Sequence, residues 1–326
     1  MASLIQRRLS QAGLTKQTAK GTGASAATYG YGSDGGTLFK LDLDENEIPL
    51  TWSNRDILAF DRQGVKPSQS GGALATPSLI GLLLLGVLGA DAVTGSGPYI
   101  HTMTPAATLP YLTSFGTFGT ADFFSIVDSK VSSLELSWEA AGKVMAKYEI
   151  PGCTPAFLAA APTFTNLEVP SSVGYFTAGG GAFTLESVAA TVTGGSIKFD
   201  THIVQPIASA TVLPPDVVEG KTEVTYSLKI LPTDTHLFRE VYFGSAAAGA
   251  LSSIATTPRL GSVSCSFTGP GTDTLVISSP QMRFMVEFPE SSPDGGPAEL
   301  TLAGTATLPS SGSSVSAVLT NAVPTY

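Results

Sequence analysis

The sequence predicts a mainly β protein, a β-barrel or sandwich carrying one packed α-helix, and three observations support that expectation. From about residue 100 onward, short runs alternate apolar and polar residues with a period of two, the pattern of half-buried strands. Only residues 77–89 read as a convincing helix. Glycine and proline, 35 and 22 of the 326 residues, interrupt the chain often enough to supply the turns that many short strands require.

Two regions follow from the N-terminus. Residues 1–36 are poor in large apolar groups and rich in Gly, Ala, Ser and Thr, which predicts an N-terminal arm with a short helix near Leu4–Leu9. Residues 37–326 form the expected β domain. It opens on Lys40–Ile48, where Leu41 and Leu43 alternate with acids as in a strand. Residues 53–73 then read as a polar loop around a short β segment, Ile57–Phe60; a loop of this length in a compact domain is usually functional or disordered.

The helix follows. Thr76 suits the N-cap, Pro77 the first helical position and Gly89 the left-handed C-terminal cap. Almost no polar face is left, so the helix should be covered on most sides. Gly81 and Gly86 cost helix propensity, which predicts close approach of another backbone.

A hairpin is expected over 130–150. Leu134, Leu136 and Trp138 share one face and Ser133, Glu135 and Ser137 the other. After a turn at Ala141-Gly142, Val144, Ala146, Tyr148 and Ile150 oppose Lys143, Met145, Lys147 and Glu149. Residues 151–182 form a Pro/Gly/Ala-rich connection. A second strand set, 187–326, comprises Ile197–Ile203, Glu223–Ile230, Val263–Phe267, Leu275–Ser278, Met282–Phe288, Leu300–Leu308 and Val315–Leu319, with a second short helix expected within 244–258. Segments 130–152 and 196–232 are alike in character, each pairing two alternating strands, without a residue-level repeat.

Composition points to self-association. Charged residues are 13 % of the chain against roughly 25 % in an ordinary soluble domain, and mean hydropathy is +0.23. Burial against further copies would cover that surface; a monomer coated in Ser, Thr and Gly is the alternative. Net charge is −9, and no basic stripe is interleaved with aromatics, so tight nucleic-acid binding is not expected. Cys153 and Cys265 form no CxxC, consistent with synthesis in a reducing cytoplasm. The N-terminus lacks the apolar segment of a secretory signal, and the longest apolar run, twelve residues from Leu79 to Ala90, falls short of the roughly 20 a membrane span needs.

Catalytic and ligand-binding patterns are weak. Gly30–Gly35 and Gly21–Ala26 match a dinucleotide fingerprint loosely, but neither follows a strand and opens a helix, the context that brings backbone N–H groups to a phosphate. Asp42, Asp44 and Asn46 match the first three ligands of a calcium loop, yet Glu47 replaces the turn glycine and Ser53 the bidentate glutamate. His101, His202 and His236 are scattered, without metal-ligand spacing, and no G-x-S-x-G elbow occurs. Glu135 and Glu139 share a strand face, but a glycosidase would normally also offer aromatic platforms, and the tryptophans are only Trp52 and Trp138. No enzyme, cofactor or metal is expected.

The order of elements resembles the phage tail tube protein family of long-tailed viruses. The matching pieces are the polar stretch 53–72, the helix PSLIGLLLLGVLG, His101-Thr-Met, Leu109-Pro-Tyr-Leu-Thr113 and the hairpin KVSSLELSWEAAGKVMAKYEIPG. The Gly-bounded strand from Ile197, the pair at Leu275–Phe288 and the ending Ala317–Tyr326 continue the pattern, so the resemblance covers residues 28–326.

The resemblance implies a homo-hexameric ring, stacked into a hollow tube through which the genome leaves. Each subunit would give two hairpins to a continuous inner barrel, with a helix packed outside. Implied partners are further copies, tape measure, tail terminator and tail-tip proteins, and double-stranded DNA passing without specific binding; the place is the virion tail, assembled in the host cytoplasm. Face alternation then makes Glu135, Ser137, Glu139, Lys143, Lys147 and Glu149 the candidate lumen-facing residues. Arg7, Arg8, Lys16, Lys20, Arg55, Arg62 and Lys66 are candidate inter-ring contacts, ordered on stacking. Alternative readings are another virion β protein (tail-tip, baseplate hub or decoration) or a carbohydrate-binding β-sandwich.

Overall fold

Small residues begin the described chain, and they form strands. The computed structural model describes residues 10–47, 60–119, 122–208, 211–233, 236–244, 254–287 and 299–326. Gln11–Lys16 (β1) and Ala26–Gly32 (β2) pair with each other, and β1 also pairs with Leu112–Phe118 (β7 in chain order). The expected N-terminal arm is corrected here. Its Gly and Ala residues do not mark loose chain; they let strands pack closely. A Cβ on Gly30 would lie 2.4 Å from the Phe164 ring, and Ala12, Leu14 and Ala27 are buried. The expected helix at Leu4–Leu9 lies outside the described residues.

Next come Lys40–Glu47 (β3), Phe60–Leu74 (β4), helix Pro77–Leu88 (α1), Gly89–Thr94 (β5), Tyr99–Pro105 (β6), β7 and Asp122–Ser129 (β8). Ser133–Glu139 (β9), Met145–Pro151 (β10), Thr154–Leu158 (β11), Thr163–Glu168 (β12), the single turn Pro170–Val173 (α2), Phe183–Leu185 (β13) and Val188–Ala189 (β14) follow. The last third holds Val192–Asp200 (β15), Glu223–Ile230 (β16), helix His236–Phe243 (α3), Leu260–Thr268 (β17), Thr274–Val286 (β18), Leu300–Ala306 (β19) and Ser316–Asn321 (β20).

Two sheets result. The smaller has the order β11-β8-β7-β1-β2-β12; the longer runs β14-β13-β17-β18-β19-β16-β15-β9-β10-β4-β3, with β20, β6 and β5 branching from β18. The fold is mainly β and sandwich-like, and neither sheet closes into a barrel among the described residues. The expected barrel is thus absent from one subunit, because both ends of each strand order remain open.

The polar stretch 53–73 is corrected from residue 60 onward, where β4 pairs with β3 on one side and β10 on the other; residues 53–59 lie outside the described set. Strand β18 merges two expected runs, continuing through Pro280. Helix α3, which the sequence pattern does not predict, precedes the span 244–258 where a second short helix is expected, and 245–253 of that span lie outside the described residues.

Helix α1 is buried at every position except Ser78, and Gly89 closes it at φ 91°, as the sequence predicts. Its glycines, however, admit side chains and not a second backbone. A Cβ on Gly81 would lie 2.0 Å from the Tyr326 ring, and one on Gly86 2.5 Å from Val131. Tyr326 is held there by Asn321 and by its hydroxyl donating to the Pro77 carbonyl at 3.1 Å. Buried His101 packs on the Tyr326 ring and holds Asp91 and the Val323 carbonyl at 2.8 and 2.7 Å. Trp138 from β9 stacks on Phe183 of β13 and meets Phe267 of β17 edge-on, joining distant strands of the long sheet in one core.

Candidate functional site

Strands with one apolar face must present their other face to something else, and the long sheet gathers these second faces into one surface. In β9 and β10, Leu134, Leu136, Trp138, Ala146, Tyr148 and Ile150 are buried. Ser133, Glu135 and Ser137 are half-buried, and Glu139, Lys147 and Glu149 exposed. The register sets Lys147 opposite Glu135 and Glu149 opposite Ser133. Alternation therefore places the hairpin's faces as its sequence predicts. Lys143 is exposed in the turn, bridged to Thr177 outside the strand.

The hairpin edges are already paired inside the subunit: β9 to β15, and β10 to β4. The polar surface consequently extends across neighbouring strands. Glu135 faces Lys198, which faces Thr225; Ser133 faces Asp200, which faces Glu223; Ser137 faces Ser196, which faces Ser227. Lys198 and Asp200 lie 3.5 Å apart, and Lys221 and Glu223 2.5 Å, which draws the Glu223 carboxyl below its ordinary range. Across β9, β10, β15 and β16 five carboxylates (Glu135, Glu139, Glu149, Asp200, Glu223) meet Lys147, Lys198 and Lys229, with Lys143 at the rim. The mixture is close to neutral. The alternation of β15 and β16 was visible in the sequence, but their adjacency to β9 was not.

The basic candidates scatter. Arg7, Arg8 and Arg55 lie outside the described residues, and Arg62 falls in β4. Lys66 lies opposite Asp42 in the β3–β4 ladder. Lys16 donates to the Tyr326 carbonyl at 2.6 Å and Lys20 pairs with Asp216 at 2.7 Å, so both have partners within the subunit. A deeper pair lies nearby: Lys130, almost fully buried, meets Glu219 at 2.6 Å and stands over the Tyr111 ring. Burial pushes the Glu219 carboxyl up, but Lys130 and the backbone amides outweigh that and bring it below the ordinary range.

Other chemistry does not assemble among the described residues. No group of His, Cys, Asp and Glu could hold a metal ion, and the Asp42 and Asp44 positions lie in exposed β3. Both cysteines are buried and free, their thiols pushed up to about 11 for Cys153 and about 12 for Cys265 by burial. No helix among the described residues is long and apolar enough to cross a membrane.

A family model described as phage tail tube protein matches residues 8–312. A comparison with curated proteins returns no match.

Proposed function

This chain belongs to the phage tail tube protein family, a structural component of phage tails that works among other tail proteins, and from that premise we propose that its copies join edge to edge into closed rings. The rings stack head to tail into the tube through which the genome leaves. Head-to-tail contact leaves an open end and so grows a filament. The observation that carries this reading is the long sheet itself: one face buried in the core, the other polar across successive strands, and edge strand β3 paired on one side only. Closing such sheets side by side removes the bare edges.

In the ring, the polar face lines the channel, with Glu135, Ser137, Glu139, Lys143, Lys147 and Glu149 facing DNA. The near balance of charge suits passage. Phosphates meet no basic track to bind, and each carboxylate acts only over the roughly 8–10 Å screening length at physiological salt. Arg7, Arg8, Arg55 and Arg62 contact the adjacent ring, and tape measure, terminator and tail-tip proteins meet the tube, which assembles in the host cytoplasm.

Electron microscopy of purified full-length protein is the test. Hollow tubes of uniform width are expected. Compact single chains at high concentration would end this reading, and isolated trimers or single rings that never stack would favour another virion protein. The inter-ring part is tested by Arg7→Ala with Arg8→Ala, expected to leave folded subunits that stack poorly.

A further inference from the structure

The chain contains one strand plan twice. In the first copy, hairpin β3–β4 is followed by helix α1 and, after the extra hairpin β5–β6, by β7 to β11. In the second, hairpin β15–β16 is followed by helix α3, then by β17 to β20. Strand β4 pairs with β10 and β10 with β9; likewise β16 pairs with β19 and β19 with the last part of β18. Strand β8 pairs with β7 and β11; likewise the first part of β18 pairs with β17 and β20. Five antiparallel ladders of the first copy thus have counterparts in the second, and the β5–β6 hairpin is an addition to the first alone among the described residues. Even an irregularity recurs: the β7–β8 ladder shifts between Leu112 and Ser114, and β17–β18 between Gly261 and Val263, each at the start of its first strand.

Residues at matching positions agree in two short segments. Lys40-Leu41-Asp42 of β3 corresponds to Lys198-Phe199-Asp200 of β15, and each Lys pairs with its own Asp, at 2.7 and 3.5 Å. Leu134-Glu135 of β9 corresponds to Val286-Glu287 at the end of β18. Burial, however, differs at one place. Phe199 is fully buried where β9 adjoins its strand, whereas Leu41, on the open edge, is 37 % exposed, with Leu43 at 49 %.

We propose that the chain is a tandem duplication, and that the edge of its second module (β18, from Met285 onward), where among the described residues no strand pairs and the Tyr242 hydroxyl donates to the Val286 carbonyl at 2.9 Å, exchanges that contact for pairing with the open edge of the first module (β3) of the next copy, repeating the internal β9–β15 joint. This rests on the ring reading above. The internal register, Lys198 opposite Glu135 and Phe199 opposite Leu134, transfers directly. Lys40 of one copy faces Glu287 of the next, and Leu41 faces Val286. The contact covers Leu41 and sets a lysine against a glutamate, as inside the chain. Each ring then holds half as many chains as modules. A ring of six modules contains three chains, not six.

The full-length double variant Lys40→Cys with Glu287→Cys tests this by oxidation of assembled tubes and non-reducing electrophoresis. Directly opposed strand positions have Cβ atoms about 4.5–5.5 Å apart, at the upper limit of the roughly 3.5–4.5 Å that a disulfide spans, so bridging takes a small backbone adjustment, and the native thiols are buried. Glu135→Cys with Lys198→Cys, expected to close within one chain, is the fold control. A covalent ladder ending at three chains is the expected result. A ladder ending at six overturns the copy number but leaves the tube standing. Tubes that form without cross-linking overturn the β18–β3 contact. If unsubstituted protein forms no tubes, the ring reading itself falls. Charge exchange gives an independent readout: Lys40→Glu should lower tube yield at least tenfold, and adding Glu287→Lys should restore it. Failure of that rescue counts against the proposed register.

Discussion

In the first module, the helix after the opening hairpin is α1, twelve residues long and buried on nearly every side; in the second it is α3, eight residues long and buried at none. The sheets beneath them share the same ladders. A second contrast lies in the strands: β8 and β9 are separate, with Lys130–Ser132 between them, whereas β18 runs unbroken through the equivalent bend. That difference alone puts the first module's outer strands in a separate sheet and keeps the second module's in the long one. Strand pairing is thus the conserved element of the two plans. What covers it is free to vary, because a helix needs only as much apolar surface as its neighbours will bury.

The contrast predicts unequal sensitivity. Leu83→Ala in α1, at a fully buried site, should cost about 3–4 kcal/mol, whereas Val241→Ala in α3, only partly buried against the core, should cost about 1 kcal/mol. Denaturant unfolding measures both, and equal costs would abolish the distinction between a structural and a peripheral helix. Next in size is the tie between modules. Lys130 follows β8 and Glu219 precedes β16, so Lys130→Met leaves a half-buried carboxylate without its counter-ion at about 2 kcal/mol, below the range for fully buried pairs because Glu219 keeps some solvent and the Leu109 amide. The folded Glu219 and Asp216 carboxyls lie below their ordinary values despite burial, held by Lys130 and by Lys20 and Tyr111 respectively. Their stabilisation is therefore complete above the unfolded values near roughly 4 and is lost as pH falls through the folded ones. Acid unfolding of Lys130→Met should show a smaller loss over that window than the parent protein. The smallest effect belongs to the polar face. Glu135→Gln should shift stability by no more than about 0.5 kcal/mol; a larger loss would mean that Glu135 supports the fold.

Much of this plan was legible before the structure. Helix α1 declared itself through Pro77, its unbroken leucines and Gly89, and the faces of β9 and β10 followed from simple alternation. Strands β1 and β2 were hidden because AGL and AATYG carry little hydrophobic signal; their burial depends on Phe164 and other partners distant in sequence. Strand β4 was hidden by the polar run RQGVKPSQSGG, whose pairing with β10 crosses some eighty residues. The repeat was missed for a related reason. Sequence character matches 130–152 with 196–232, but topology matches β9–β10 with β18–β19 and β3–β4 with β15–β16. Alternation reports which side of a strand is wet and says nothing of its neighbours.

The strands β1, β2 and β12 extend only the first module's outer layer, on the flank of β7, while β13 and β14 occupy the matching flank of β17. A tube built from such chains would show unlike bays in alternation around its circumference, although its bore looked uniform. Any protein gripping the exterior would find half as many equivalent footholds as the bore has repeats.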